Sequence, residues 1–357
     1  MTALTNTKWT LKARPEGIFR ADMCSQIETE TVDLSSIEEN EVVIKSELLS
    51  VDAFLRTMLD AEAYHGSVDI GATLPALGIG TVMAAGSKTK LKVGSKVIGM
   101  LKAQTVAKLE VGEMGPMPLL RIPGVPESAS LGLLGLTTGL TAWVGIFKVL
   151  ARPRQGETVV VTAAAGAVGS IAAQLALTTG ARVIGVCGGQ AKCTFLKDTL
   201  KLTGAVDYKS SSATVEDQLK DLCPGGIDFM YDNVGGNQLD EVLKLVNPSG
   251  RIVICGAVSQ YSGNLNKGKV QGPSEYLKLA EKGATMKGFN VMQYMSSLPL
   301  AIPSLLWHWN LGRIVIHEQI EVGIETFPAA MEKMFTGGHV GRLLVDLKED
   351  KAPVGDN

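Results

Sequence analysis

The sequence predicts an α/β protein with a β-rich first domain and a second domain built on a doubly wound parallel sheet. Its 357 residues exceed one domain of the usual size, which is roughly 100 to 200 residues. Residues 1–125 contain short alternating segments broken by glycines. From Thr158 onward, β-branched runs alternate with amphipathic helical segments, as a parallel sheet covered on both faces requires.

Composition and charge exclude several classes of protein. With 45% hydrophobic and 20% charged residues the chain should fold. Its net charge of -2 lacks the overall positive charge that is typical of proteins that bind nucleic acid or anionic membranes. No apolar stretch suggests a spanning helix or a signal peptide. The five cysteines are scattered without a C-x-x-C pair, so we expect a reducing, cytoplasmic location.

The first domain is predicted from alternating segments at 41–51, 73–86 and 90–100, which favour a small β-barrel or sandwich. The character changes after Pro126. Residues 128–150 are apolar with interspersed Gly and Thr, which predicts one or two buried helices.

The second domain is predicted to contain six strands separated by helices. The strands are expected at 157–164, 182–187, 205–210, 226–234, 251–259 and 284–290, and the helices at 168–179, around 195–200, and at 215–222, 238–246 and 298–311. Strands at 314–322 and 341–347 then bracket a helix at 325–335. Periodicity alone leaves open whether these last strands extend the parallel sheet or return to the first domain.

A glycine-rich turn joins the first strand of the second domain to its helix. The turn has G-x-G-x-x-G spacing with Ala164 in the place of the first glycine. Small residues there allow a pyrophosphate to approach the backbone at the positive end of a helix. We therefore predict a dinucleotide site at Ala164, Gly166, Ala167, Val168 and Gly169; the alternative is a tight turn without a ligand.

The end of the second strand favours NADP(H) over NAD. An NAD-selective site offers a carboxylate to the ribose about 20 residues after the turn. Here Gly188 and Gly189 leave space, Lys192 supplies a positive charge, and Tyr208 follows the next strand, a set that suits a 2′-phosphate. A solvated surface role for Lys192 and a structural role for Tyr208 are the alternatives.

Five segments together resemble the zinc-independent medium-chain dehydrogenase/reductase superfamily, in its branch of prostaglandin reductases and NADPH-dependent alkenal double-bond reductases. The resemblance runs over almost the whole chain. The segments are TLKARPEG (10–17), LSVDAFLR (49–56), TAAAGAVGS (162–170), FMYDNVGG (229–236) and GRIVICGAVSQY (250–261).

The resemblance implies a GroES-like β-barrel catalytic domain formed by residues 1–127 and 315–348. A Rossmann NADP-binding domain, with a doubly wound parallel six-stranded sheet, is inserted at 128–314, and a disordered tail follows at 349–357. It also implies a homodimer and the cofactor NADPH. The implied reaction is hydride transfer to the β-carbon of a small apolar enone or alkenal, including 15-oxo-prostaglandin-like lipids. No metal is implied, because the zinc-ligand segments of zinc-dependent relatives are replaced here by 50–52 and 77–80.

Residue roles also follow from the resemblance. Tyr261 is implied as proton donor or enolate partner, with ordering of the cofactor ribose as the alternative, and Tyr64 as a weaker candidate at the substrate pocket. Asp52 and Arg56 match a segment in which a structural ion pair competes with catalysis. The implied cofactor contacts are Tyr261 itself, Thr141, Asn233, Cys255, Gly256, Val258 and His339.

Two further functions stay open at this point. One is an NADPH quinone oxidoreductase, which would consume NADPH without reducing a carbon-carbon double bond. The other is a nicotinamide-binding sensor or structural protein that binds the cofactor without turnover.

Overall fold

The computed structural model describes residues 3–63, 65–112, 115–262, 270 and 272–348, which form two compact units. The first unit contains the described residues up to Ser130, Ser262 and the described residues from Glu318, and the second contains Leu131–Tyr261 and the described residues of 268–317. These divisions lie three residues beyond the expected ones at 127/128 and 314/315. The expected disordered tail at 349–357 lies outside the described residues.

Strands and helices are numbered here in chain order. The strands are β1 (Ala3–Leu11), β2 (Ser25–Asp33), β3 (Glu41–Ser50), β4 (Leu77–Ala85), β5 (Lys96–Met100), β6 (Val106–Glu110), β7 (Met117–Pro118), β8 (Thr158–Thr162), β9 (Arg182–Cys187), β10 (Gly204–Asp207), β11 (Ile227–Asp232), β12 (Val246–Ile254), β13 (Thr285–Gly288), β14 (Glu318–Val322) and β15 (Arg342–Asp346). The helices are α1 (Ala21–Cys24), α2 (Thr141–Phe147), α3 (Ala167–Leu177), α4 (Gln190–Thr194), α5 (Val215–Leu222), α6 (Gly236–Lys244), α7 (Leu277–Lys282), α8 (Leu298–Asn310) and α9 (Phe327–Thr336). Within the part of the chain that is described, no helix has the length and apolar character needed to cross a membrane.

The first unit is built mainly of antiparallel strands. Its larger sheet has the order β14-β15-β3-β4-β5-β7, with β6 also paired to β3, and β1 and β2 form a separate two-stranded sheet. β15 pairs antiparallel with β3, so that Val345 lies opposite Leu49. The last two strands of the chain therefore lie in the sheet of the first unit, which periodicity could not decide.

The second unit carries a six-stranded parallel sheet, as predicted. Its strand order is β10-β9-β8-β11-β12-β13. Every residue of β8 is buried, since helices cover both faces of a sheet of this kind. The strands follow each other in one direction from β8 to β9 and β10, and in the other direction from β11 to β12 and β13, so the strand order reverses between β8 and β11. Ligands of doubly wound sheets bind at the carboxyl ends of the strands beside such a reversal.

Several predicted helix boundaries were wrong by about two residues, among them the ends of α3 and α6. α3 ends at Leu177 instead of residue 179, because the hydroxyls of Thr178 and Thr179 donate to the carbonyl oxygens of Leu175 (2.6 Å) and Ala176 (2.8 Å). Helix α6 ends two residues earlier than the predicted 246, because Val246 already begins β12.

A buried ion pair links the two chain segments of the first unit. Arg342 on β15 donates from Nη1 to Asp52 Oδ1 (2.7 Å) and from Nη2 to Asp52 Oδ2 (3.0 Å), and it also bonds Ser50. Arg56 instead pairs with Asp60 at 2.9 Å. Asp52 and Arg56 therefore belong to two separate ion pairs, and the partner missed from the sequence is Arg342.

Replacing Arg342 by Met should destabilise the first unit strongly. Both members of the pair are nearly inaccessible, with side-chain exposures of 4% and 5%. Loss of the guanidinium removes the positive charge that compensates the buried carboxylate of Asp52, which costs about 3–5 kcal/mol. Urea denaturation followed by circular dichroism measures the free energy of unfolding. The double variant Asp52→Asn with Arg342→Met should lose less than the sum of its single variants.

The matched control is Lys88→Ala, which removes an ion pair to Glu39 whose side chains are both mostly exposed. It should scarcely shift the denaturation midpoint. An Arg342→Met protein as stable as this control would contradict the expectation.

Candidate functional site

The glycine-rich turn lies directly after β8 and opens α3. Gly166 is the N-cap residue of α3 and has no side chain to bond the first turn of the helix. A Cβ on Gly169 would lie 2.3 Å from the carbonyl oxygen of Ala163, so a glycine is required there. A Cβ on Gly166 would meet only that oxygen, at 3.2 Å. The turn is therefore closely packed at Gly169, whereas the space next to Gly166 is largely open.

Ala164 takes the position of the first glycine of the fingerprint because β9 leaves room for it. Its N–H donates to the carbonyl oxygen of Val186 at 3.0 Å, which brings the turn against β9. A Cβ on Gly185 of β9 would lie 2.8 Å from the Cβ of Ala164. Gly185 is a residue that sequence reasoning missed, since only the pairing of the strands shows its contact.

The turn after β9 and the end of β10 form the predicted 2′-phosphate region. A Cβ on Gly188 would lie 2.7 Å from the Tyr208 hydroxyl and ring, so that ring lies directly against Gly188. Gly189 has φ +95° and open space around it. Lys192 is anchored by its N–H to the Gly189 carbonyl oxygen at 3.1 Å. The four predicted residues therefore lie in one region.

The charges in this region act on one another. Burial lowers the pKa of Lys192, and the positive charge of Lys209 lowers it further. Lys209 has its Nζ 6.0 Å from the centroid of the Tyr208 ring. Burial also raises the pKa of Tyr208, which keeps its hydroxyl protonated as a neutral donor. The region offers an anion two ammonium groups and a phenol.

Asn233 follows β11 and is fixed against β8. Its N–H donates to Thr162 Oγ1 (2.8 Å) and its Nδ2 donates to the Thr162 carbonyl oxygen (2.7 Å). The neighbouring Asp232 is fully buried and accepts from Thr162 Oγ1 (2.7 Å) and from the N–H groups of Val234 (3.0 Å) and Gly235. Burial raises the pKa of Asp232 while these hydrogen bonds oppose the shift. Asp232 was not predicted, although it directly precedes Asn233 in the quoted motif.

Tyr261 lies at the end of a short loop that follows β12. Its hydroxyl oxygen accepts from the Ala257 N–H at 3.3 Å. A Cβ on Gly256 would lie 2.9 Å from that oxygen, so Gly256 makes room for the phenol. Burial raises the pKa of Tyr261 above its usual value. The phenol therefore stays neutral near pH 7 and keeps a proton that it can donate.

The remaining residues of the Tyr261 loop are fixed by the loop after β11. The N–H of Cys255 donates to the Asp232 carbonyl oxygen (2.8 Å), and the N–H of Val258 donates to the Asn233 carbonyl oxygen (3.0 Å). Burial raises the pKa of Cys255 to about 12, so its thiol is uncharged near pH 7. The two loops therefore form one hydrogen-bonded surface at the carboxyl ends of β11 and β12.

The remaining predicted residues are Thr141, His339 and Tyr64, of which Thr141 accepts at its carbonyl oxygen from the Tyr231 hydroxyl of β11 (3.2 Å). Thr141 begins α2, and its hydroxyl donates to the Leu136 carbonyl oxygen at 2.7 Å, as a buried helix start requires. His339 belongs to the first unit, between α9 and β15. Tyr64 lies outside the described residues.

Among the residues that the structure describes, no group of three or more His, Cys, Asp or Glu side chains could hold a metal ion. The segment 50–52, where zinc-dependent relatives of the resembled superfamily carry a ligand, is engaged by Arg342, which bonds both Ser50 and Asp52.

Comparison with known proteins gives matches over both units. Residues 167–306 match the family described as zinc-binding dehydrogenase, and residues 7–115 match the family described as N-terminal domain of oxidoreductase. Three relatives span nearly all of the chain. The putative NADP-dependent oxidoreductase YfmJ of Bacillus subtilis is 34% identical over 95% of this chain and 97% of its own length.

The NADPH-dependent curcumin reductase of Escherichia coli is 30% identical over 97% of this chain and 98% of its own length. The NADP(+)-dependent 2-alkenal reductase of Nicotiana tabacum is 32% identical over 90% of this chain and 91% of its own length. Among solved structures, CurA from Vibrio vulnificus in complex with NADPH has a TM-score of 0.85 and 28% identity, and the match covers 96% of this chain and 99% of CurA. The chain therefore belongs to the medium-chain dehydrogenase/reductase superfamily, within the group that contains these NADP-dependent oxidoreductases.

Proposed function

We propose that the protein is an NADPH-dependent reductase of carbon-carbon double bonds conjugated to a carbonyl group. The observation that carries the proposal is the neutral phenol of Tyr261, held by its own loop at the carboxyl end of β12. Relatives named curcumin reductase and 2-alkenal reductase support this reaction class. The substrates would be small apolar enones and alkenals, including 15-oxo-prostaglandin-like lipids.

The residues of the glycine-rich turn fit a dinucleotide. The space in front of Gly166, which a Cβ would begin to fill, admits a pyrophosphate next to the first turn of α3. Ala164, Ala167, Val168 and Gly169 would complete this cradle. Lys192 and Tyr208 would hold the 2′-phosphate beside the open space at Gly189, with the Tyr208 ring packed on Gly188, and such charge-assisted contacts select NADPH over NADH.

The nicotinamide end would lie against the loops that follow β11 and β12. Asn233, Cys255, Gly256 and Val258 present these loops at the carboxyl ends of the strands, where such ligands bind. Bound NADPH supplies a hydride, which is accepted by the β-carbon of the substrate. We also assign supporting contacts to Thr141 and His339, on the resemblance alone.

Tyr261 would act on the charge that hydride addition creates. The negative charge appears on the substrate carbonyl oxygen, and a hydrogen-bond donor aimed at that oxygen stabilises it. Tyr261 accepts one hydrogen bond from the Ala257 N–H, and its own O–H can donate. The α-carbon then takes a proton, which Tyr261 would supply or relay. Tyr64 would line the substrate pocket.

A metal ion would have no role in this reaction. The developing charge is met by the phenol. In the first unit, Ser50 and Asp52 already bond the guanidinium of Arg342, which carries the positive charge that an ion would otherwise bring to those oxygens.

We further infer a cytoplasmic homodimer formed by the second units. β13 is the last strand of the parallel sheet, and an edge strand of this kind can pair with a second copy. Large apolar side chains are exposed in the segments around it, among them Leu277 (67%), Leu300 (61%) and Trp307 (55%). The cytoplasmic location rests on the cysteine pattern.

Two substitutions in the glycine-rich turn should have different effects, one on the stability of the fold and the other on the affinity for NADPH. Gly169→Ala forces a Cβ against the Ala163 carbonyl oxygen and should lower the stability of the second unit by about 1–3 kcal/mol. Gly166→Ala should fold nearly normally, yet its methyl group lies in the cradle and should weaken NADPH binding on the order of tenfold. Thermal denaturation and calorimetric titration measure the two effects. Gly225→Ala, with open space around it, is the control, and wild-type affinity in Gly166→Ala would refute the cradle.

The reaction itself is tested with an enone and a 2-alkenal. We expect one NADPH to be oxidised for each conjugated double bond that is reduced, measured by the loss of absorbance of the conjugated system. A zinc chelator should not lower the rate. Tyr261→Phe should lower kcat by at least about tenfold while the KM for NADPH changes little. Tyr276→Phe, which alters an exposed tyrosine of the same unit, should leave both unchanged.

Other outcomes of this assay point to the alternatives. A raised KM for NADPH with an unchanged kcat would assign Tyr261 to ordering the cofactor ribose. Consumption of NADPH by quinones but not enones would identify a quinone reductase. Binding without turnover over alkenals, enones, 15-oxo lipids and quinones would identify a sensor or structural protein.

The dimer is tested by light scattering after size exclusion, which should give twice the chain mass of 37.7 kDa. Leu277→Glu places a charge on the exposed apolar surface of α7 and should shift the protein toward the monomer. Ile70→Glu alters a similarly exposed side chain of the first unit and should not. A wild-type protein that elutes as a monomer would contradict the inference.

A further inference from the structure

An acidic residue faces the glycine turn after β9, although no carboxylate follows that strand in the sequence. Asp207 is the last residue of β10, which pairs with β9 so that Asp207 lies opposite Cys187. Its Oδ1 accepts from the N–H of Gly189 (2.7 Å) and from the N–H of Lys209 (2.9 Å). One carboxylate oxygen therefore joins the turn after β9 to the segment that carries Tyr208.

The main chain of Asp207 is itself fixed by α5. Gln218 accepts from the Asp207 N–H through Oε1 (2.9 Å) and donates from Nε2 to the Asp207 carbonyl oxygen (3.0 Å). The position of the carboxylate is set by these two bonds as well as by β10. Because its Oδ1 is directed at two backbone N–H groups, the carboxylate holds the main chain in place.

The two segments that Asp207 joins carry the residues proposed to bind the 2′-phosphate. Gly189 adopts φ +95°, and the Lys192 N–H donates to the Gly189 carbonyl oxygen at 3.1 Å. Tyr208 lies between Asp207 and Lys209 and packs against Gly188. A shift of the turn relative to β10 would separate Gly188 and Lys192 from Tyr208.

We propose that Asp207 is a positioning residue for NADPH selectivity. By holding the N–H groups of Gly189 and Lys209 on one oxygen, it keeps Tyr208 packed against Gly188 and keeps Lys192 and Tyr208 beside the open space at Gly189. This inference rests on the proposed 2′-phosphate site. Asp207 would act through its bonds to Gly189 and Lys209 and not by contact with the 2′-phosphate, which its carboxylate would repel.

The test compares dissociation constants for NADPH and NADH in variants of the full chain. Asp207→Ala removes the acceptor of both N–H groups. It should weaken NADPH binding about tenfold, which is the effect of losing one charge-assisted hydrogen bond to the 2′-phosphate, while NADH binding changes less than about twofold. Asp207→Asn retains an oxygen acceptor and should stay within about threefold of the wild type for both. This rescue separates hydrogen-bond geometry from charge.

Asp228→Ala is the matched control. Asp228 lies on β11 of the same sheet, and its Oδ2 accepts the Thr158 N–H at 2.8 Å where β8 begins, at the opposite end of the strands. Its loss should lower thermal stability as the loss of Asp207 does, yet leave the ratio of the two dissociation constants unchanged. If Asp207→Ala does not fold, Gln218→Ala should lower the NADPH preference by about threefold through the same carboxylate.

Equal losses of NADPH and NADH binding in Asp207→Ala, or an Asp207→Asn protein as poor as Asp207→Ala, would overturn the inference. So would an unchanged ratio in Gln218→Ala when that variant is the one tested. Lys192→Ala distinguishes this failure from that of the proposed function. If Lys192→Ala loses NADPH selectively while the Asp207 variants do not, only the positioning role fails. If the wild type does not prefer NADPH and Lys192→Ala has no effect, the 2′-phosphate site and the inference both fail.

Discussion

The hydrogen bond from the Thr162 hydroxyl to the buried carboxylate of Asp232 is the interaction on which the candidate site depends. It joins the carboxyl ends of β8 and β11, the two strands at which the sheet order reverses. The same carboxylate accepts the Gly235 N–H, and the Asp232 carbonyl oxygen accepts the N–H of Cys255 after β12. One residue therefore fixes the ends of three adjacent strands. Burying a carboxylate is unfavourable, and these hydrogen bonds are what compensate for it.

The first unit uses a buried charge in a related way. Arg342 and Asp52 are 290 residues apart in the chain, and their ion pair lies where β15 pairs with β3. The backbone hydrogen bonds of β15 and β3 repeat along the strands, and a shift by two residues would keep the same side chains on each face. A bidentate ion pair is satisfied in one register, so we assign it the role of fixing the alignment of two distant segments.

The sequence predicted those features that depend on neighbouring residues. The bounds of β9 and α5 agree with the predicted 182–187 and 215–222, because a continuous β-branched run and an amphipathic period each identify an element locally. The glycine-rich turn was located for the same reason. The residues that were missed, Gly185, Asp207, Asp232 and Arg342, each contact a partner that is distant in the sequence. For β14 and β15 the periodicity indicated strands but not their sheet, since sheet membership is decided by pairing at long range.

The alanine in place of the first fingerprint glycine illustrates why such a pattern should be interpreted in three dimensions. A tight turn against a parallel strand needs a small volume between the two chains. In this protein the turn carries a methyl group at Ala164, and the neighbouring strand supplies the missing volume at Gly185, where a Cβ would also lie 2.7 Å from Leu196. The requirement therefore applies to the pair of positions together. A search for three glycines in one segment tests only half of this requirement, because the other half lies 21 residues further along the chain, on β9.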